Sequence, residues 1–348
     1  MLLAVVSCTT TEYVDIDNID PILVLNAQLS SGDSTHMVHL GASSRSQVRA
    51  IKGASVDVSI NDAAPLKALL IEEEESTGHG GRYSFKAEIK PGDKVLISAT
   101  DGVSLSAQAD VTVPKAPDIV SMEMIPNVKH STSGSVFDLG GGSYYEPEPP
   151  EGAPYAYSAW HEIKLTLRDF PSEDSFYRLS FYLETTITEP DGTIRRFENG
   201  LWMDTDSEPV FSAQTSSSGG LIDELVDSYN TYNVFSDAIF QDKEYSLKFF
   251  IQENNLINYR IFTGEYFYDP QKNSYEYYIL PEGATYTNEI VAAVYSITKD
   301  QYYYLKALDL NENFGILFSE PVSIPSNVTG GLGFVTVDAL TRVSTPIL

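Results

Sequence analysis

The one cysteine of the chain, Cys8, is the residue whose position most directly suggests a chemistry. In Leu2-Leu3-Ala4-Val5-Val6-Ser7-Cys8 an apolar run and a small residue directly precede the thiol, and polar Thr9-Thr10-Thr11 follows. A cysteine in that setting is the acceptor for diacylglycerol once an exported leader has been cut away. Two acyl chains hold a protein firmly to a bilayer where one is marginal, at ~0.8 kcal/mol per buried CH₂. A complete secretory leader carries basic residues ahead of a longer apolar stretch, and neither Lys nor Arg precedes Cys8, so the expected start lies upstream. A lone cysteine also excludes an internal disulfide, a cysteine-based zinc site and a CxxC redox pair.

Oxygen ligands offer a second chemistry. In Asp309-Leu310-Asn311-Glu312-Asn313-Phe314-Gly315 with Glu320 beyond, side-chain oxygens of Asp309, Asn311, Asn313 and Glu320 fall at the first, third, fifth and twelfth positions of a calcium loop. The glycine comes one place late, and a polar helix-to-strand loop accounts for the same residues. Of the five histidines, His36 and His39 are close in sequence, but three residues apart on a strand they face opposite ways. Glu72 to Glu75 reads as a solvated strand edge that discourages strand addition.

Aromatic residues form the third candidate. Tyr266, Tyr268, Tyr275 and Tyr277 flank Asp269-Pro270 at alternating spacing, and Tyr144, Tyr145, Tyr155, Tyr157 and Trp160 form another group. Exposed together, such rings stack on sugars or anchor a protein partner; packed across strands, they are ordinary sheet residues. The sequence has no G-x-S-x-G elbow, HExxH, P-loop or strand-associated GxGxxG, so no catalytic residue and no cofactor is expected. A net charge of −27 repels phosphate backbones and anionic lipid surfaces, which argues against nucleic acid and leaves a lipid anchor as the expected membrane contact.

The elements that must position these residues are mostly strands. Alternating runs at 22–25, 36–40, 54–60, 66–71, 82–89, 94–100 and 105–113, separated by turn residues, predict an immunoglobulin-like β-sandwich over 21–114. Residues 1–20 read as signal remnant and tether, and Pro114-Lys115-Ala116-Pro117 as the joint. A larger β-rich domain, sandwich-like, is expected over 118–348. It has strands at 119–125, 161–167, 177–188, 193–197, 245–252, 259–263, 275–280, 290–297 and 322–324, with a last strand after the glycines. A Gly/Ser/Pro/Tyr excursion is expected over 131–154 and short helices over 221–229 and 298–311, the second capped by Thr298.

The segment Ser319-Glu320-Pro321-Val322-Ser323-Ile324-Pro325-Ser326-Asn327-Val328-Thr329-Gly330-Gly331-Leu332-Gly333-Phe334 resembles the closing signature of the Bacteroidetes lipoproteins grouped as domain-of-unknown-function family 4249. So do Gly53-Ala54-Ser55-Val56-Asp57-Val58, Ser236-Asp237-Ala238-Ile239-Phe240 and the Cys8 context. The resemblance implies an outer-membrane lipoprotein, at the cell surface or the periplasmic face, commonly beside a TonB-dependent transporter. It implies no catalytic residues. The expected role is therefore non-catalytic binding of the transporter or its cargo, with a glycan-binding or adhesive module as the alternative.

Overall fold

The computed structural model describes residues 20–43, 48–74, 80–128, 160–171, 173–205, 208–212, 230–258, 260–269, 274–314 and 324–347. Cys8, Glu320, the excursion 131–154 and the expected helix 221–229 lie outside these residues. The fold is mainly β, built from two stacked-sheet cores.

In the first core, β1 (Leu23–Ser31), β2 (Thr35–Ser43), β6 (Leu69–Glu74) and β7 (Gly80–Lys86) pair in the order β6-β7-β2-β1, with the short β3 (Val48–Arg49) on β2. The facing sheet runs β5 (Leu66–Lys67), β4 (Ser55–Ile60), β8 (Lys94–Thr100), β9 (Ser106–Thr112). Period-2 alternation puts Val56, Val58, Val95 and Ile97 inside with Leu23, Leu25, Val38 and Leu40, all essentially inaccessible. Asn61 and Asp62 both take positive φ, and the Asn61 side chain ties the turn to Asp93 and Lys94.

In the second core, β10 (Asp118–Val128), β11 (Trp160–Arg168) and β15 (Glu244–Gln252) form one sheet in the order β10-β11-β15. Facing it are β13 (Ile194–Leu201), β12 (Phe176–Thr188), β18 (Thr285–Ile297) and β19 (Val335–Pro346), with β14 (Val234–Ser236) also on β12. Leu179, Phe181, Ile163, Leu165 and Phe249 meet between the layers. Phe181 and Phe249 contact edge to face, with centroids 4.9 Å apart.

The last strand ties the cores together. Residues 335–339 of β19 run parallel to 27–31 of β1, and 339–346 run antiparallel to β18, so one ten-stranded sheet passes through both cores. Immediately before it, Leu332 N–H donates to Leu23 O, Leu25 N–H to Leu332 O, and Thr329 and Gln108 exchange both backbone hydrogen bonds. The segment thus fills the gap between β1 and β9 and closes the first sandwich. Val328, Val335, Val337 and Ala339 belong to the first core, although the sequence places them within 118–348. Glycine is required there: a Cβ on Gly331 would sit 2.6 Å from Leu23 O, and Gly333 has φ +117° against the Leu25 carbonyl.

Among the described residues three α-helices accompany the strands: α1 (Pro209–Ser212), α2 (Arg260–Thr263) and α3 (Lys299–Phe314). The Thr298 hydroxyl accepts from Gln301 N–H at 3.1 Å and caps α3, as its sequence predicts. By contrast, the expected strand 259–263 is the helical turn α2. Ile261 N–H bonds back to Asn258 O, and Gly264 at φ +79° stops the turn, so a local cap pair overrides a short alternating pattern. Ile324, the described end of the expected strand 322–324, lies in no strand.

Candidate functional site

The four tyrosines singled out in the sequence converge on one small hairpin. β16 (Glu265–Asp269) and β17 (Ser274–Tyr278) pair with Tyr266 opposite Tyr277 and Tyr268 opposite Tyr275, so all four positions fall on one face. Tyr266, Tyr275 and Tyr277 are 63%, 71% and 56% exposed, and the Tyr266 and Tyr277 rings meet edge to face at 5.3 Å.

The opposite face is the anchor. Phe267 and Tyr278 pack on Phe197 of β13, with centroids 4.4 and 4.9 Å apart. Arg195 lies over the Tyr278 ring and is itself held by Glu189 at 2.7 Å. Burial first, and Glu189 second, push the Tyr278 phenol up to about 12, so it stays neutral across the biological range. The hairpin base is fixed by Leu280 N–H donating to Ile261 O at 2.8 Å, and the end of the Tyr277 side chain covers Gly264. Beside it Phe262 and Tyr286, 40% and 44% exposed, touch edge to face. The result is an aromatic, partly polar surface on a pinned two-stranded support.

The calcium reading is corrected by the helix. Asp309, Asn311 and Asn313 all lie within α3 rather than in a loop, and Asp309 and Asn311, two residues apart on a helix, face different sides, so the loop that would wrap an ion does not form. Asp309 is buried and accepts from Thr231 N–H at 3.2 Å, pinning the segment before β14. Among the described residues no group of three or more His, Cys, Asp or Glu is arranged to hold a metal. His36 is buried against Phe85 and donates from Nε2 to Ala87 O, while His39 projects from the other face of β2.

Sequence reasoning missed one acidic pair, Asp169 and Asp237, both inaccessible. Asp169 accepts from Asp242 N–H at 2.9 Å, and Asp237 accepts from Ser175 N–H at 2.8 Å. Burial raises the Asp237 carboxyl to about 6, against the pull of Ser175 and with added repulsion from Asp169 and Asp174. These backbone bonds, with the Tyr177 hydroxyl donating to Asp169 at 3.5 Å, lock the 237–243 turn to the start of β12. The Ser236-Asp237-Ala238-Ile239-Phe240 stretch was therefore the available signal: Asp237 caps the turn and Phe240 fills the core.

A family model described as "Domain of unknown function (DUF4249)" matches residues 10–342. The chain belongs to that family. Within the matched region Asp237 lies at the acidic turn, and Gly331 and Gly333 lie where β1 meets the C-terminal segment. No curated protein matches. Among solved structures, the chicken CNTN1 FN1-FN3 domains align at 10% identity and TM-score 0.21, covering 79% of this chain and 60% of that one. The C-terminal globular domain of oligosaccharyltransferase from Pyrococcus abyssi aligns at 8% identity and TM-score 0.15, covering 67% of this chain and 48% of that one. The chain thus spans 60% or less of either neighbour's length. Among the described residues no helix is long and apolar enough to cross a membrane.

Proposed function

We propose that this protein is a non-catalytic binding component of a bacterial outer membrane, tethered through a diacylated Cys8, whose tyrosine-faced hairpin docks on a TonB-dependent transporter. The observation that carries the reading is the two-sidedness of β16-β17. Phe267 and Tyr278 are consumed in holding the hairpin to Phe197, whereas Tyr266, Tyr275 and Tyr277 stand in solvent. Large aromatic rings on a rigid support lose little side-chain entropy on docking and supply most of the energy of protein contacts. The strong negative charge favours a partner patch that is neutral or basic.

Purification of the tagged protein from native membranes tests this. Recovery of an outer-membrane β-barrel by wild type, and its loss in the Tyr266→Ala, Tyr275→Ala, Tyr277→Ala triple variant, is the expected result. Equal recovery by both proteins removes the hairpin from the proposal, and glycan-array binding that the triple variant loses would replace the transporter with a sugar. Mass spectrometry of the mature N-terminus checks the anchor, with an unmodified Cys8 counting against it.

A further inference from the structure

A separate cleft of about 350 Å³ opens between α3 and the outward faces of β1, β2 and β19. It is far smaller than a macromolecular groove and sits at the lower end of small-molecule sites. On one wall Gln301 and Tyr304 descend from α3; on the other are Gln28 from β1, His39 from β2 and Thr336 from β19. We propose that this cleft binds one ring of an uncharged sugar.

The ligand class follows from what the walls offer. Among the described residues no Lys or Arg lines the cleft to counter an anion, and no Asp or Glu lines it to counter a cation. An apolar ligand would desolvate the Gln28 and Gln301 amides without offering either a hydrogen bond. An extended peptide would need free backbone groups, but β1 is paired on both sides by β19 and β2, and β2 by β1 and β7. Vicinal hydroxyls, each donor and acceptor at once, match amide side chains that are also both.

The geometry is prepared in advance. Gln301 is 2% exposed, and the Thr336 hydroxyl donates to its Oε1, which leaves the amide nitrogen as a donor on the cleft side. Tyr304 is stacked on Phe334 at 4.1 Å and 11°, which fixes an aromatic wall for the apolar face of a sugar ring. Asn26 Oδ1 accepts from Phe334 N–H at 2.9 Å and holds that wall in place. One step further along the same strands, Asp338 is buried with Oδ1 lacking a hydrogen-bond partner, and the Nε of Arg178, its ion-pair neighbour at 3.5 Å, lacks one too. Unsatisfied buried polar atoms beside a polar cleft point to a guest that brings hydroxyls or water.

The test is saturation-transfer NMR on the full chain with methyl glucoside, N-acetylglucosamine and maltose at about 10 mM, where even millimolar binding registers. Glucuronate and glucosamine are the charged controls. Transfer to at least one neutral sugar is expected, reduced tenfold or more by Gln301→Leu. Met37→Trp fills the cleft from a half-exposed position and should abolish transfer without disturbing the fold, which near-UV circular dichroism checks. Absence of transfer to every neutral sugar overturns the proposal, as does transfer that survives Met37→Trp or that favours the charged controls. The hairpin triple variant should bind sugar like wild type, so failure here is distinguishable from failure of the transporter reading.

Discussion

The first sandwich and the second solve the same packing problem with different remainders. In the first, no described strand exceeds nine residues, and the open side between β1 and β9 is closed by the C-terminal segment. In the second, β12 and β18 run 13 residues each while β11 and β15 facing them run 9, so one sheet overhangs the other. The overhang must be covered. Leu256 and the α2 turn fold over it, Asn258 and Asn288 hydrogen-bond to Thr185 beneath, and the tyrosine hairpin packs on Phe197 at its edge. The proposed contact surface is the outer side of an element whose inner side is needed to complete a core.

Breaking the closure of the first sandwich should have the largest effect. A chain ending at residue 326 loses Val328, Val335, Val337 and Ala339 from the first core and β19 from the middle of the ten-stranded sheet. It is expected to show no cooperative unfolding transition by circular dichroism. A milder form is Gly333→Val, which sets a branched side chain at positive φ against Leu25 O and should cost about 3 kcal/mol or more in urea denaturation. Survival of the truncated chain with an intact first core would show that the sandwich closes itself.

The cover over the second sandwich should come away more gently. Phe197→Ala removes the common contact of Phe267 and Tyr278 and should cost about 3 kcal/mol, concentrated in the hairpin. Hydrogen exchange should rise across 265–278 while β11 and β15 stay protected. Equal loss of protection in both would mean that hairpin and core unfold as one.

A third effect depends on pH. Because burial raises Asp237 to about 6 in the folded chain, above its unfolded value of 3.8, its contribution is fully present below about pH 4 and is lost as pH rises through 6. Asp93 and Asp191, held below the usual carboxylate range first by Asn61 and by the Thr193 N–H respectively, act oppositely and lose their contribution as pH falls. Asp237→Asn keeps an acceptor for Ser175 N–H without the charge, so at pH 7.5 it should raise stability by about 2 kcal/mol, or Tm by roughly 4 °C, and at pH 4 change little. A variant no more stable than wild type at pH 7.5 would show that the buried charge is not destabilising.

Much of this organisation was readable in the residues. Alternation such as Val56-Asp57-Val58 located the first strands, Thr298 announced α3, and the spacing of Tyr266, Tyr268, Tyr275 and Tyr277 placed four tyrosine positions on one face. What was not readable is long-range. Parallel pairing of β19 with β1 leaves no local period, and Gly330-Gly331-Leu332-Gly333 announced positive φ without naming the strand that would press against it. Asp309 looked like an ion ligand because its partner, the Thr231 backbone, lies in another segment, and Asp169 drew no notice because its role depends on Asp237.

The smallest structural effect should accompany the largest functional one. Alanine at Tyr266, Tyr275 or Tyr277 should change stability by about 0.5 kcal/mol or less each, since the rings are exposed. Hydroxyl-radical footprinting of those three tyrosines, in native outer membranes and in purified protein, tests the docking claim directly. Protection in the membrane alone, with exposed Trp202 equally oxidised in both, is the predicted result. Equal oxidation of all three tyrosines in both settings would contradict it.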